Sequence, residues 1–158
     1  AGMRPSRLEL SAEVCSEAKV YNEDYPSDIT LWAHGREIGT VRSTGDMGAR
    51  PGKLPPSWVP RGNTQYGLLN YWAANEDGFW VNQYGGGEGR IGDLNLRRGE
   101  PIVVRFGFKE GTVHGGLNLF GSKFGDLDQA IRMRLVGTPQ QTPAERLISE
   151  VQDLLTSK

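Results

Sequence analysis

The sequence predicts an all-β fold, an antiparallel β-sandwich of jelly-roll-like form with one C-terminal amphipathic α-helix. Three observations carry this. Apolar and polar residues alternate in short runs along most of the chain, the pattern of half-buried strands. The 22 glycines and 9 prolines fall between those runs without a period, as tight turns require. Only after Gly137 does the apolar spacing lengthen from two to that of a helix.

Taken in order, the first strand spans Arg7 to Cys15, with Leu8, Leu10, Ala12 and Val14 on one face and Glu9, Ser11 and Glu13 on the other. Ile29 to Val41 reads as a hairpin turning at Gly35-Arg36, where a leading glycine suits a type II′ turn. Thr64 to Trp72 and Phe79 to Tyr84 are further strands, separated by the turn-rich Asn75-Glu76-Asp77-Gly78. Gly85-Gly86-Gly87-Glu88-Gly89 reads as a hairpin loop. Ile102, Val104, Phe106 and Phe108 share one face of the next strand, and Ile131, Met133 and Leu135 alternate with Arg132 and Arg134 in the last. Seven or more such strands imply a sandwich or barrel, and no βαβ spacing is present. Thr142-Pro143-Ala144-Glu145 is a capping box, after which Leu147, Ile148, Val151, Leu154 and Leu155 form one helical stripe.

The organisation expected is therefore a linker or cloning remnant at residues 1–6, a sandwich domain at 7–137, and a linker plus helix at 138–158. The chain is read as a fragment of a larger protein. Two stretches show no clean period. Ser43 to Asn63 holds four glycines, four prolines and Trp58, and a loop this long is usually either functional or disordered. Its prolines and tryptophan predict an ordered loop anchored on the sandwich. Gly115 to Asp128 mixes Leu117, Leu119, Phe120 and Phe124 with four glycines.

Composition excludes several functions. Eighteen basic and nineteen acidic residues leave a formal charge of −1, whereas a duplex-DNA binder normally carries a basic excess. A local excess stands in Arg42, Arg50, Lys53 and Arg61, opposed only by Asp46. Cys15 is the single cysteine, so no internal disulfide or thiolate cluster forms, and its phase makes it a small core residue. No apolar run is long enough for a membrane span and no signal-peptide core is present, which points to the cytoplasm.

Catalytic templates find little. His34 and His114 stand in unrelated contexts, the glycine run lacks the dinucleotide fingerprint, and Asp126 and Asp128 do not continue into a calcium loop. No cofactor and no metal are expected. Polar-aromatic clusters in loops are the positive signal: Asn22, Asp24, Arg50, Trp58, Gln65, Tyr66 and Asn118. Flat rings beside amide, carboxylate and guanidinium groups suit a polyhydroxylated ligand, and the same rings could instead pin the loops to the sandwich.

Asn22-Glu23-Asp24-Tyr25-Pro26-Ser27-Asp28-Ile29, Gly45-Asp46-Met47-Gly48-Ala49-Arg50 through Trp58-Val59-Pro60, Thr64-Gln65-Tyr66-Gly67-Leu68-Leu69 and Gly115-Gly116-Leu117-Asn118-Leu119-Phe120-Gly121 occur in order, with Phe124-Gly125 and Asp128-Gln129 after them. Over about Leu8 to Leu135 this set resembles the C-terminal half of bacterial ArsR-type winged-helix transcriptional regulators. The winged helix itself is absent, and the tail after Gly137 runs past the resemblance. The resemblance implies an effector-sensing or oligomerising role, with DNA contacted only through the missing domain.

The resulting expectation is a non-catalytic regulatory domain binding a small, sugar-like effector, with a homodimer made partly by the tail helix. Three alternatives stay open: a carbohydrate-binding module of a carbohydrate-active enzyme, a glycosidase or other hydrolase, and a pure dimerisation domain.

Overall fold

One long strand, β1 (Met3–Cys15), organises the chain. The computed structural model describes residues 2–156; Ala1, and Ser157 and Lys158 of the expected tail, lie outside them. Along one edge β1 pairs with β4 (Leu68–Asn75), Leu10 opposite Trp72. Its other edge pairs first with β9 (Arg132–Pro139) and then with β8 (Asn118–Leu119). Beyond β4 lie β5 (Phe79–Val81) and β6 (Tyr84–Gly85), which completes a six-stranded antiparallel sheet. The second sheet has three strands in the order β3 (Arg36–Ser43), β2 (Ser27–Ala33), β7 (Val104–Gly107). A single 3₁₀ turn at Ile91–Leu94 buries both terminal side chains between the sheets.

The two sheets meet as the alternation requires. Leu8, Leu10, Ala12 and Val14 of β1 pack with Ile29, Leu31 and Ala33 of β2, all buried. Trp72 is the bridge between them. It is wholly buried, meets Phe106 edge-on at 5.5 Å, and its indole N–H donates to Gly39 O of the opposite sheet at 3.1 Å. The all-β sandwich with a terminal helix stands as expected, the nine strands among the described residues divided six and three.

Several local expectations are corrected. The β2–β3 turn falls on His34-Gly35, not Gly35-Arg36: both residues have positive φ, 47° and 78°, and Ala33 pairs with Arg36. That is a type I′ turn with glycine second, whose twist matches the strands it joins. The glycine run is more than a hairpin loop. Gly86 N–H donates to Phe79 O at 2.8 Å and Gly87 N–H to Ile38 O at 2.9 Å, so the run crosses from one sheet to the edge of the other. A Cβ on either residue would collide with that edge's carbonyls, which is why side chains are absent there. Residues 3–6, expected as linker, are strand: Met3 pairs with Pro139 and Pro5 with Gly137. Thr138 and Pro139 likewise belong to β9. Cys15 is buried as expected, and burial pushes its thiol up to about 12, which leaves it unreactive.

The tail is a helix, α1 (Pro143–Thr156), capped as its sequence demands. Thr142 N–H donates to the Glu145 carboxylate at 2.7 Å and Glu145 N–H to Thr142 Oγ1 at 3.3 Å. These bonds hold the Glu145 carboxyl below its usual range. None of the helix is buried, and its stripe of Leu147, Ile148, Val151, Leu154 and Leu155 faces outward. Among the described residues no helix is long and apolar enough to cross a membrane. Deleting residues 141–158 should move the melting temperature by less than about 3 °C, because changes that remove no buried contact stay within about 0.5 kcal/mol. Differential scanning calorimetry decides it. A larger loss would mean that the helix packs on the sandwich in solution.

Candidate functional site

Two surfaces compete for a functional role, the loop cluster singled out by sequence and the outer face of the large sheet. The loops are built on two buried carboxylates. Glu13 lies on the outer face of β1, where alternation makes it a solvent residue, yet it is 1% exposed. Its carboxylate accepts from Gly67 N–H at 2.8 Å, Asp126 N–H at 2.8 Å and Leu127 N–H at 3.0 Å. Backbone donors from two distant loops thus converge on one side chain and replace its water. Gly125 (φ 99°) packs so close that a Cβ would strike the carboxylate.

Asp46 does the same for the other loops. Buried at 2% exposure, it accepts from Ala18 N–H at 3.1 Å and Asn22 N–H at 2.7 Å, and Thr64 Oγ1 stands 3.4 Å away. Arg50 then closes the cluster. Its guanidinium forks onto Asp126, whose carboxylate also receives Lys53 N–H at 3.1 Å, and it lies 3.7 Å over the Tyr66 ring. The Arg50 pair holds the Asp126 carboxyl below its usual range.

Seen against this framework, the seven residues expected at the site divide. Arg50 and Tyr66 are stacked together. Gln65 is buried and structural, its amide donating to Pro60 O at 3.1 Å. Asn22 accepts from Asp24 N–H at 2.9 Å, forming an Asx-turn with both residues exposed. Asn118, in β8, donates to Glu17. Trp58 stands apart at 77% exposure, so it is no anchor for the loop from Ser43 to Asn63; Asp46, Arg50 and Leu54 N–H on Gly125 O hold that loop instead. Tyr25 stacks on His114 at 3.9 Å, and His114 Nδ1 lies 2.9 Å from Pro26 O. None of the seven lines either of the two clefts described next.

The larger cleft, about 1110 Å³, lies on the outer face of the six-stranded sheet. Cross-strand register builds it row by row. Trp80, Ala73, Glu9 and Arg134 sit side by side on β5, β4, β1 and β9. In the next row Tyr71, Ser11 and Arg132 follow one another on β4, β1 and β9. Ala73 and Ser11, with Glu9 on the side of Arg134, therefore form the floor between an aromatic wall and a cationic wall two to three strand spacings, about 10–14 Å, apart. The Trp80 indole N–H donates to Asn75 Oδ1 at 3.1 Å, and that oxygen also accepts from Asp77 and Gly78 N–H. Asn82 supports the other side, its Oδ1 accepting from Tyr71 N–H at 2.9 Å. Tyr71 itself is 55% exposed. A smaller cleft of about 480 Å³ opens between Met3, Leu135, Leu96 and Ile102.

Sequence reasoning missed the sheet face, although its alternation holds the signal: Glu9 and Ser11 on one strand, Arg132 and Arg134 on another. The chemistry this surface offers is stacking and hydrogen bonding. No group of three or more metal-ligating side chains occurs among the described residues. No protein-family model, curated protein or solved structure matches the chain.

Two outcomes test this account of the loops. Glu13→Gln places an amide N–H₂ among backbone donors and should cost about 2–4 kcal/mol in urea unfolding, with faster exchange at Gly67, Asp126 and Leu127. Retained stability and protection would show that Glu13 is not the pin. The Arg50–Asp126 pair has a pH signature. Because the folded carboxyl titrates below its ordinary value of 3.8, its stabilisation is complete above that value and disappears as pH falls through the lower folded one. Wild type should thus exceed Asp126→Asn in stability at neutral pH, with the gap closing on acidification. A gap that is constant with pH would refute the assignment.

Proposed function

We propose that this chain is a non-catalytic effector-binding domain that holds a small, polyhydroxylated, sugar-like ligand in the cleft on the open face of its large sheet. The observation that carries the reading is the juxtaposition of Tyr71 and Trp80 with the small floor residues Ala73 and Ser11. Aromatic faces stack on the C–H surfaces of a sugar, and a floor without bulk leaves room for the ring. Asn82, Gln83 and the arginines at its rim supply hydrogen-bonding groups. The cleft contains one carboxylate, Glu9, whereas glycoside hydrolysis ordinarily uses two, which supports binding over turnover.

In the regulator that the resemblance implies, occupancy of this cleft would act on a winged-helix domain joined to the sandwich. The uncovered stripe on α1 supports a homodimer within the same reading. A carbohydrate-binding module would use the same cleft, and the two differ in what is attached to it.

The test is titration with a panel of mono- and disaccharides followed by amide chemical shifts. Shifts should centre on Ser11, Tyr71, Ala73 and the Trp80 indole, and Tyr71→Ala should weaken binding by about tenfold, the usual worth of one stacking ring. Shifts centred on residues 46–66 would move the site to the loops. No shift with any sugar would sink the reading.

A further inference from the structure

Resting on that reading, we infer that the ligand is an acidic sugar, a hydroxylated ring bearing one carboxylate or phosphate, with Arg132 and Arg134 receiving the anionic group. Three arginines and one glutamate line the cleft, so two positive charges are in excess within a chain whose formal charge is −1. Their arrangement shows which is available. Glu9 is bonded by Arg7 at 2.6 Å, and Arg134 lies 3.8 Å from its other oxygen, outside hydrogen-bond range. The Arg132 side chain makes no ion pair or hydrogen bond among the described residues. Nearby Glu76 is paired with Arg4 at 3.4 Å and does not line the cleft.

Position reinforces the charge. Arg132 and Arg134 are two apart on β9, so both project to the outer face, one beside Ser11 and the other beside Glu9. Two guanidinium forks about 7 Å apart along one strand can embrace a single planar carboxylate or a phosphate. The aromatic residues that would stack the ring stand across the floor on β4 and β5. One ligand could therefore touch both walls, with its hydroxylated body on Tyr71 and Trp80 and its anion on the arginines. A neutral sugar could accept hydrogen bonds from the arginines but would leave their charge uncompensated.

The experiment compares uronic acids, sugar phosphates and their neutral parent sugars in the same chemical-shift titration, with inorganic phosphate and a single-stranded oligonucleotide alongside. An acidic sugar should bind at least about tenfold tighter than its neutral parent, about 1.4 kcal/mol. The uronate and phosphate arms identify which anion is preferred. Arg132→Gln should reduce the ratio of acidic to neutral affinity to below about threefold with an unchanged melting temperature, whereas Arg98→Gln, at the smaller cleft, should leave the ratio intact. Equal affinity for acidic and neutral sugars, or a ratio untouched by Arg132→Gln, would overturn the inference while the sugar-binding reading stands. Tighter binding of phosphate alone or of the oligonucleotide would also overturn it. Failure of every sugar to bind removes both.

Discussion

A buried carboxylate on the solvent face of a central strand, Glu13, is the constraint on which the loop-bearing end of the molecule depends. An unpaired ion there would be untenable, since removing a carboxylate from water costs several kcal/mol. The chain meets this by bringing the backbone of residues 67, 126 and 127 to it. Once those donors are fixed, Asp126 is placed where Arg50 can reach it, and Arg50 in turn lies over the Tyr66 ring. One acid thereby orders two loops more than fifty residues apart in sequence, without a disulfide or a large apolar patch. Asp46 repeats the device at Ala18 and Asn22. These contacts fix the loop backbones, while Trp58, Asn22 and Asp24 stay exposed on them.

The same strand explains why the open cleft lies beside them. Between Leu8 and Val14, β1 contributes its even-numbered residues to the core and its odd-numbered ones to the outer face. At Glu13 that face is roofed by loops; at Ser11 and Glu9, one and two steps further, it is open. The cleft is thus the part of the large sheet that the loops do not cover. Its rigidity comes from the core beneath it, where Trp72, adjacent to Tyr71 and Ala73, ties the two sheets through Gly39 O.

Much of the fold was legible in the sequence because its signals are local. Alternation gave β1 and the phase of Val104 and Phe106, and the capping box with its stripe gave α1. What escaped depends on contacts between distant residues. Alternation assigns Glu13 to solvent; only the arrival of two loops buries it. Trp58 reads as an anchor because tryptophans usually are, and its exposure follows from polar contacts elsewhere in the loop. The His34-Gly35 turn was missed by one position because a histidine at positive φ carries little sequence signal. The cleft is a property of register: Trp80, Ala73, Glu9 and Arg134 come from four strands, and no reading of one strand places them in a row. Each half of the cationic and aromatic walls was visible, but their opposition was not.

If this domain reports occupancy to another, the ligand must favour one of two arrangements of the whole. The sandwich is a poor place for such a choice. Its loops are locked by buried carboxylates, its sheets by Trp72, and close-packed cores do not deform continuously. The element with a choice is α1, which buries nothing against the sandwich and leaves β9 through Gln140 and Gln141. β9 is also the strand that carries Arg132 and Arg134, so a ligand held there touches the strand from which the helix departs. The strand's apolar residues are incompletely covered: Leu135, 44% exposed, lines the smaller cleft with Met3, and Met133, 50% exposed, borders the larger one. An edge strand that would hold the proposed ligand through its arginines, leaves apolar side chains partly exposed and continues into an uncovered amphipathic helix has what a coupling element needs. Effector binding on the sheet and assembly through the tail would then meet on one strand, and neither would require the core to move.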